Sequence, residues 1–108
     1  MITRVTRGVL DRDKEAEVIA YLRTAADARP VIPGLVGFVL SRAMDERSVV
    51  LVSISLWTDI DTMAASLGPN WRQPSWPGLN EHMKDASVEI FETIATSTEG
   101  LMKLEPSG

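Results

Sequence analysis

Cysteine is absent from this chain of 108 residues, and histidine occurs only once. Without thiolates the chain can form neither disulfide bonds nor a cysteine-ligated metal site, and one imidazole is too few for a structural zinc site. The sequence also lacks a glycine-rich phosphate-binding loop. We therefore expect neither a metal nor a cofactor, and the lack of cysteine fits a cytoplasmic protein.

Positive charge is also scarce, because 11 Lys and Arg residues stand against 15 Asp and Glu residues and give a net charge of -4. A nucleic-acid-binding protein needs a basic surface to displace counterions from phosphates, and an anionic membrane surface favours the same kind of protein. No segment approaches the roughly 20 apolar residues that span a bilayer. Neither nucleic acid nor a membrane is therefore expected as a partner.

Hydrophobic residues make up 44% of the chain and charged residues 24%, which is an ordinary globular composition. A chain of this length forms one domain with a real core, and it is small enough for oligomerisation to supplement its stability. We expect a single domain over residues 1–95, followed by a tail over residues 96–108. In the tail, only Leu101, Met102 and Leu104 suggest a short docking segment.

The most informative run spans residues 49–57, because it reads as a strand that is apolar on both faces. One face carries Val50, Val52, Ile54 and Leu56, and the other carries Val49, Leu51 and Trp57. Successive strand residues point to opposite faces, so both faces of this strand must be covered. The chain's own helices can cover one face, and we expect a second copy of the chain to cover the other.

The remaining patterns complete an α+β order of elements. Strands are predicted at residues 2–10, 35–43, 49–57 and 87–95, and the second and third pair antiparallel through a polar connector at residues 44–48. The first helix is predicted to begin near Asp13, capped by Asp11 or Asp13, and to stop at Pro30. A capping box over residues 58–61 starts the second helix, which ends at residues 68–69. A short helix is predicted over residues 79–86.

This order, βαββαβ, predicts a ferredoxin-like sandwich with an antiparallel sheet and both helices on one face of it. The other face is left uncovered. Since the third strand is apolar on that face too, we expect it to pack against the equivalent face of a second copy. The predicted assembly is a homodimer joined through its sheet faces.

Candidate functional residues crowd into the loop that follows the second helix and into the short helix after it. Trp71 and Trp76 can wall a flat apolar pocket, while Asn70 and Arg72 can orient a phenolate or carboxylate. The alternative is that the two tryptophans anchor the loop to the core or to the partner subunit, and that the polar residues are solvated. Trp57 can line the pocket or belong to the core.

His82 is the single imidazole and lies on the apolar side of the predicted short helix. It can act as a general base near neutral pH or as an axial ligand of a heme. The alternative is a half-buried histidine held by one hydrogen bond. Arg4, Arg7 and Arg42 lie on predicted strands, where an arginine that points inward requires a partner.

A family resemblance rests on three stretches of this sequence: residues 33–38 (PGLVGF), residues 51–57 (LVSISLW) and the Thr58-Asp59 pair that leads into the second helix. These stretches resemble the antibiotic biosynthesis monooxygenase family of dimeric α/β barrels, over residues 2–95. The resemblance implies the ferredoxin-like fold, a homodimer and, for some members, oxidation of aromatic polyketides by molecular oxygen without metal or flavin.

What the resemblance implies here is a cofactor-independent monooxygenase for an aromatic or polyketide-like small molecule. Its expected catalytic residues are His82, Arg72 and Asn70, and its expected substrate-binding residues are Trp71, Trp76 and Trp57. The alternatives are a dimer of the same fold that binds a small molecule without turnover, or a heme-binding or heme-degrading protein.

The chain departs from the family pattern in two places. Heme-degrading members carry an asparagine in the first strand, and residues 2–10 contain none. The cofactor-free monooxygenases carry an asparagine and a tryptophan on the second helix, whereas Asn70 and Trp71 follow the predicted end of that helix. The roles of those family residues therefore do not transfer by register.

Overall fold

The computed structural model describes residues 1–28, 31–44 and 47–97. Four strands and two helices follow one another as β1 (Ile2–Leu10), α1 (Glu15–Asp27), β2 (Leu35–Arg42), β3 (Val49–Trp57), α2 (Ile60–Leu67) and β4 (Lys84–Glu92). Short 3-10 turns precede α1 at Arg12–Lys14 and β4 at Asn80–His82. The strands form one antiparallel sheet in the order β2-β3-β1-β4. The predicted α+β, ferredoxin-like fold is confirmed.

The hydrophobic core lies on one face of this sheet, between the strands and α1. It is centred on the end of β1 and the start of β3, and its buried members are Leu10, Val18, Val49, Leu51, Trp76 and Leu79. Leu22, Leu40 and Met83 pack against this cluster. Because β3 alternates, the residues that face α1 are those of the Val49, Leu51 and Trp57 parity, as the sequence predicted.

The helix starts differ from the predicted ones. Asp11 precedes the first 3-10 turn without a side-chain capping bond, and its carboxylate instead accepts a 2.8 Å hydrogen bond from Lys84 Nζ. The second helix is capped by Asp59 rather than by the predicted capping box, because Asp59 Oδ1 accepts hydrogen bonds from both the backbone N–H and the hydroxyl of Thr62. These bonds lower the pKa of Asp59. Pro30, the predicted stop of α1, lies outside the described residues.

The chain between α2 and the last strand was predicted as too helical. The expected helix over residues 79–86 is a single 3-10 turn, and β4 begins earlier than predicted, at Lys84, and ends at Glu92. Two turns of helix are marginal by themselves. The open edge of β1 offers backbone hydrogen bonds along the whole of β4, with Thr6 opposite Val88, so sheet pairing prevails.

The last described residues, 93–97, form no helix or strand, and Thr93 is held by Met1 O and by the hydroxyl of Thr3. The predicted docking segment with Leu101, Met102 and Leu104 lies outside the described residues. Within the part of the chain that the structure describes, neither helix has the length and apolar character needed to cross a membrane.

Gly34 is a position where the backbone tolerates no side chain. Its φ is +83°, and an added Cβ would overlap the side chain of Thr62 on α2. We expect Gly34→Ala to lower the free energy of unfolding by about 2 to 4 kcal/mol, the sum of backbone strain and overpacking. Urea denaturation measures this loss.

Gly68→Ala is the matched control for this prediction. Gly68 has a similar φ of +88°, but an added Cβ would meet nothing within 4 Å. It should therefore lose only about 1 to 2 kcal/mol, from backbone strain alone. If both variants lose the same free energy, the contact with Thr62 does not constrain this turn.

Candidate functional site

A cleft of about 530 Å³ lies between α1 and the sheet. Its floor and walls are largely apolar, with Leu22 from α1, Phe38 and Leu40 from β2, Leu51 from β3, and Trp76 from the loop after α2. This volume is typical of small-molecule sites, which are mainly hydrophobic with a few polar groups. The cleft can therefore enclose a flat apolar molecule between two aromatic rings.

Charged side chains form the rim of the cleft. Arg23 and Asp27 lie on α1, and Arg42 lies at the end of β2. Arg42 Nη1 donates a 2.6 Å hydrogen bond to Glu15 Oε2, so the partner that its strand position requires is a carboxylate at the start of α1. Half of this arginine's side chain is exposed, so the ion pair adds little stability and serves mainly to orient the side chain.

Trp76 is both a wall of the cleft and part of the core. It is 3% exposed, and its backbone N–H donates a 2.7 Å hydrogen bond to Asn80 Oδ1. The indole lies against Gly8 of β1, where an added Cβ would come within 2.9 Å of the indole nitrogen. This nitrogen is buried without a hydrogen-bond partner among the described residues. The ring is thus fixed by packing and by Asn80.

Arg4 lies on the same face of the sheet and is only 6% exposed. Its Nε donates to Trp71 O at 3.3 Å, its Nη2 to Gln73 O at 2.8 Å and its Nη1 to the hydroxyl of Thr6 at 2.8 Å. Burial lowers the pKa of the Arg4 guanidinium, which nevertheless stays protonated at neutral pH because arginine does not lose its proton in proteins. The required partners of this inward arginine are backbone carbonyl groups.

The loop held by Arg4 brings two of the predicted site residues together. Arg72 stacks on Trp71, with the guanidinium carbon 4.6 Å from the ring centroid, which is a cation–π geometry. Two turns shape the backbone here, with hydrogen bonds from Trp71 N to Gly68 O and from Gln73 N to Asn70 O. Asn70 itself is exposed.

Trp57 is buried, and its indole N–H donates a 2.8 Å hydrogen bond to the hydroxyl of Ser55. That hydroxyl lies 3.4 Å from the backbone oxygen of Arg4 on the neighbouring strand. Trp57 therefore belongs to the layer of side chains on the sheet that also contains Arg4. It does not line the cleft between α1 and the sheet.

His82 ends the 3-10 turn before β4. Its side chain is 30% exposed, and Nε2 lies 3.5 Å from the carboxylate of Glu81. It does not line the cleft beside Trp76. The structure thus pairs Trp71 with Arg72, puts Trp76 at the cleft, and leaves Asn70 and His82 apart from the cleft.

Sequence analysis missed a polar strip in the middle of the sheet. Ser53 and Ser55 interrupt the apolar parity of Val49, Leu51 and Trp57, and they lie opposite Thr6 and Arg4 of β1. Polar residues on an otherwise buried strand face were the available signal for this strip. Among the described residues there is no cluster of three or more metal-binding side chains.

No protein-family profile matches the sequence, and no curated protein sequence matches it significantly. Solved structures are similar over most of the chain. A candidate antibiotic biosynthesis monooxygenase from Deinococcus radiodurans superposes with a TM-score of 0.69 at 15% identity, covering 89% of this chain and 95% of its own.

Two further structures show the same fold. A variant of SnoaB, a cofactor-independent oxygenase from Streptomyces nogalater, gives a TM-score of 0.62 at 25% identity, with 89% of this chain and 95% of that chain covered. A variant of MhuD with two manganese protoporphyrin IX molecules per active site gives 0.64 at 19% identity, with 89% and 97% covered. These neighbours confirm the resemblance predicted from the sequence, and the chain has the fold of the antibiotic biosynthesis monooxygenase family.

Proposed function

We propose that this protein is a cofactor-independent monooxygenase that oxidises a flat aromatic or polyketide-like molecule bound between α1 and the sheet. The observation that carries the proposal is the cleft of about 530 Å³ with Phe38 and Trp76 in its lining. SnoaB, described as a cofactor-independent oxygenase, is similar to 89% of this chain at 25% identity. A planar ring system gains both burial and ring-to-ring contact in such a space.

The proposed reaction needs only the substrate and molecular oxygen. In an anthrone-type phenol, loss of a proton from the methylene carbon beside the ring system gives an enolate, which is a strong reductant. The enolate passes its electrons to O₂; the carbon gains one oxygen atom as a new carbonyl and loses both hydrogens, and the second oxygen atom leaves in water. The protein has to take up the proton, favour the anion and exclude water.

We assign the proton transfer to His82 and the stabilisation of the anion to Arg72 and Asn70. These residues lie on the segment after α2 rather than on the cleft wall, so the assignment requires a substrate that extends from Trp76 toward this segment. Trp71 offers a ring surface there, although Arg72 already stacks on one side of it. Trp57, buried beside Ser55, supports the layer beneath.

Oxygen uptake with a panel of anthrone-type phenols, with and without added heme, tests this function. We expect one O₂ to be consumed for each quinone formed, with heme and a metal chelator both without effect. Binding of the phenols without uptake would instead indicate a non-catalytic binding protein. Uptake that requires heme would indicate a heme-dependent oxygenase.

Heme is the less favoured occupant on the structure as well. An axial ligand must face the bound ring, and His82 is turned to Glu81 at 3.5 Å and does not line the cleft. The first strand also lacks the asparagine of heme-degrading members. The described residues therefore do not fit a heme in the cleft beside Trp76.

We also propose that the protein is a homodimer joined through the uncovered face of the sheet. The residues on this face include Val39, Ile54 and Phe91, whose exposed fractions are 39%, 39% and 45%. The strand register puts them on the face opposite α1. A contiguous apolar surface on a sheet is the kind of patch that a partner covers.

A further inference from the structure

We infer that Arg4 is the positioning residue of the proposed site: its buried guanidinium holds the backbone of residues 71–73 against the sheet and thereby fixes Trp71 and Arg72. The inference rests on the proposed function for its catalytic meaning. Arg4 itself touches no reacting group, because its hydrogen bonds go to the loop backbone and to Thr6.

The geometry is that of a clamp between two distant parts of the chain. Trp71 O and Gln73 O point to the same guanidinium, at 3.3 Å from Nε and 2.8 Å from Nη2. Two acceptors on alternate residues suit the planar, forked arrangement of arginine donors, which a lysine ammonium lacks. Arg4 therefore fixes the direction of this loop backbone as well as its distance from β1.

Burial makes this clamp difficult to open. Arg4 is 6% exposed and forms no ion pair with a carboxylate among the described residues, so the carbonyl oxygens and the Thr6 hydroxyl are its compensation. If the loop moved away, a buried cation would lose two acceptors at once, which is strongly unfavourable. The closed loop and the buried arginine thus stabilise each other.

The loop has few other constraints near this point. Residues 68–79 contain no helix or strand, and Gln73, Pro74 and Ser75 are exposed. The next anchor is the hydrogen bond from Trp76 N to Asn80. The stacked pair of Trp71 and Arg72 therefore takes its position from Arg4 on one side and from the turn at Gly68 on the other.

Trypsin provides a test without any substrate, because the Arg72–Gln73 peptide bond lies inside the clamped segment. Cleavage requires local opening of about ten residues, so its rate follows the open fraction of the loop. We expect Arg4→Met to accelerate cleavage at this bond at least tenfold, with cleavage after Arg12 and Arg23 unchanged. Arg4→Lys should give an intermediate rate, since one ammonium cannot reproduce the fork.

Asp11→Asn is the matched control, because it removes the exposed ion pair with Lys84 and leaves every tryptic site in place. It should not alter cleavage at the Arg72–Gln73 bond. Equal acceleration at all sites in Arg4→Met would mean that Arg4 supports only global stability, and would overturn the inference.

Oxygen uptake with the most active anthrone-type phenol provides the functional readout, normalised to the folded fraction by circular dichroism. We expect Arg4→Met to lower kcat at least tenfold and to change KM less than threefold, because Phe38 and Trp76 are untouched. Selective cleavage with unchanged kcat would overturn the positioning role. If the wild-type chain takes up no oxygen, the proposed function fails, while selective or parallel cleavage still decides the clamp.

Discussion

Ile54→Asp is expected to convert the proposed dimer into a monomer. Ile54 lies at the middle of β3 on the uncovered face, opposite Val39 of β2 and Val5 of β1. In a dimer joined through this face, each subunit would bury the new carboxylate against apolar side chains without a partner, at a cost of several kcal/mol. A loss of about 4 kcal/mol raises the dissociation constant about a thousandfold.

The monomer should stay folded, because Ile54 is already 39% exposed in a single chain. Sedimentation velocity at micromolar concentration measures the change, and Val39→Asp on the same face should act in the same way. Val31→Asp is the control, since Val31 is 97% exposed and lies outside the sheet. A wild-type chain that sediments as a monomer, or an Ile54→Asp variant that remains a dimer, would rule out this interface.

The second large effect is expected for Trp76→Ala, which should lower the free energy of unfolding by about 3 to 5 kcal/mol. The indole is 3% exposed and packs in the cluster with Leu10, Leu51 and Leu79, so its removal leaves a cavity in the core. The same variant should lose affinity for a flat aromatic ligand, because the wall of the cleft disappears. Denaturation by urea and fluorescence titration measure the two effects.

Trp71→Ala is the comparison that separates the core from the loop. Its indole is half-buried, and Arg4 binds its backbone oxygen, so the side chain can be removed without opening the clamp. We expect a stability loss of about 1 kcal/mol. If Trp71 also contacts the ligand, binding should weaken by about 1 to 3 kcal/mol. Equal stability losses in the two variants would contradict the different burial of the two rings.

Local patterns predicted most of the elements. The double apolar parity of residues 49–57, the proline before Gly34 and the polar connector after β2 each specify a structure from a few neighbouring residues. The predictions failed where a distant strand competed with a local preference, as at residues 84–86, which pair with β1 instead of continuing a helix. They also failed at α2 by one residue, because Asp59 and Thr58 are both good capping residues.

By itself the sequence determined the composition class, the order of strands and helices, the parity of β3 and the family resemblance, because all of these depend on neighbouring residues. Only the tertiary structure decided that Trp76 belongs to the core, that His82 lies away from the cleft, and that Arg4 binds the loop at Trp71, 67 positions along the chain. Such contacts depend on where the folded sheet places distant segments, which no local pattern encodes.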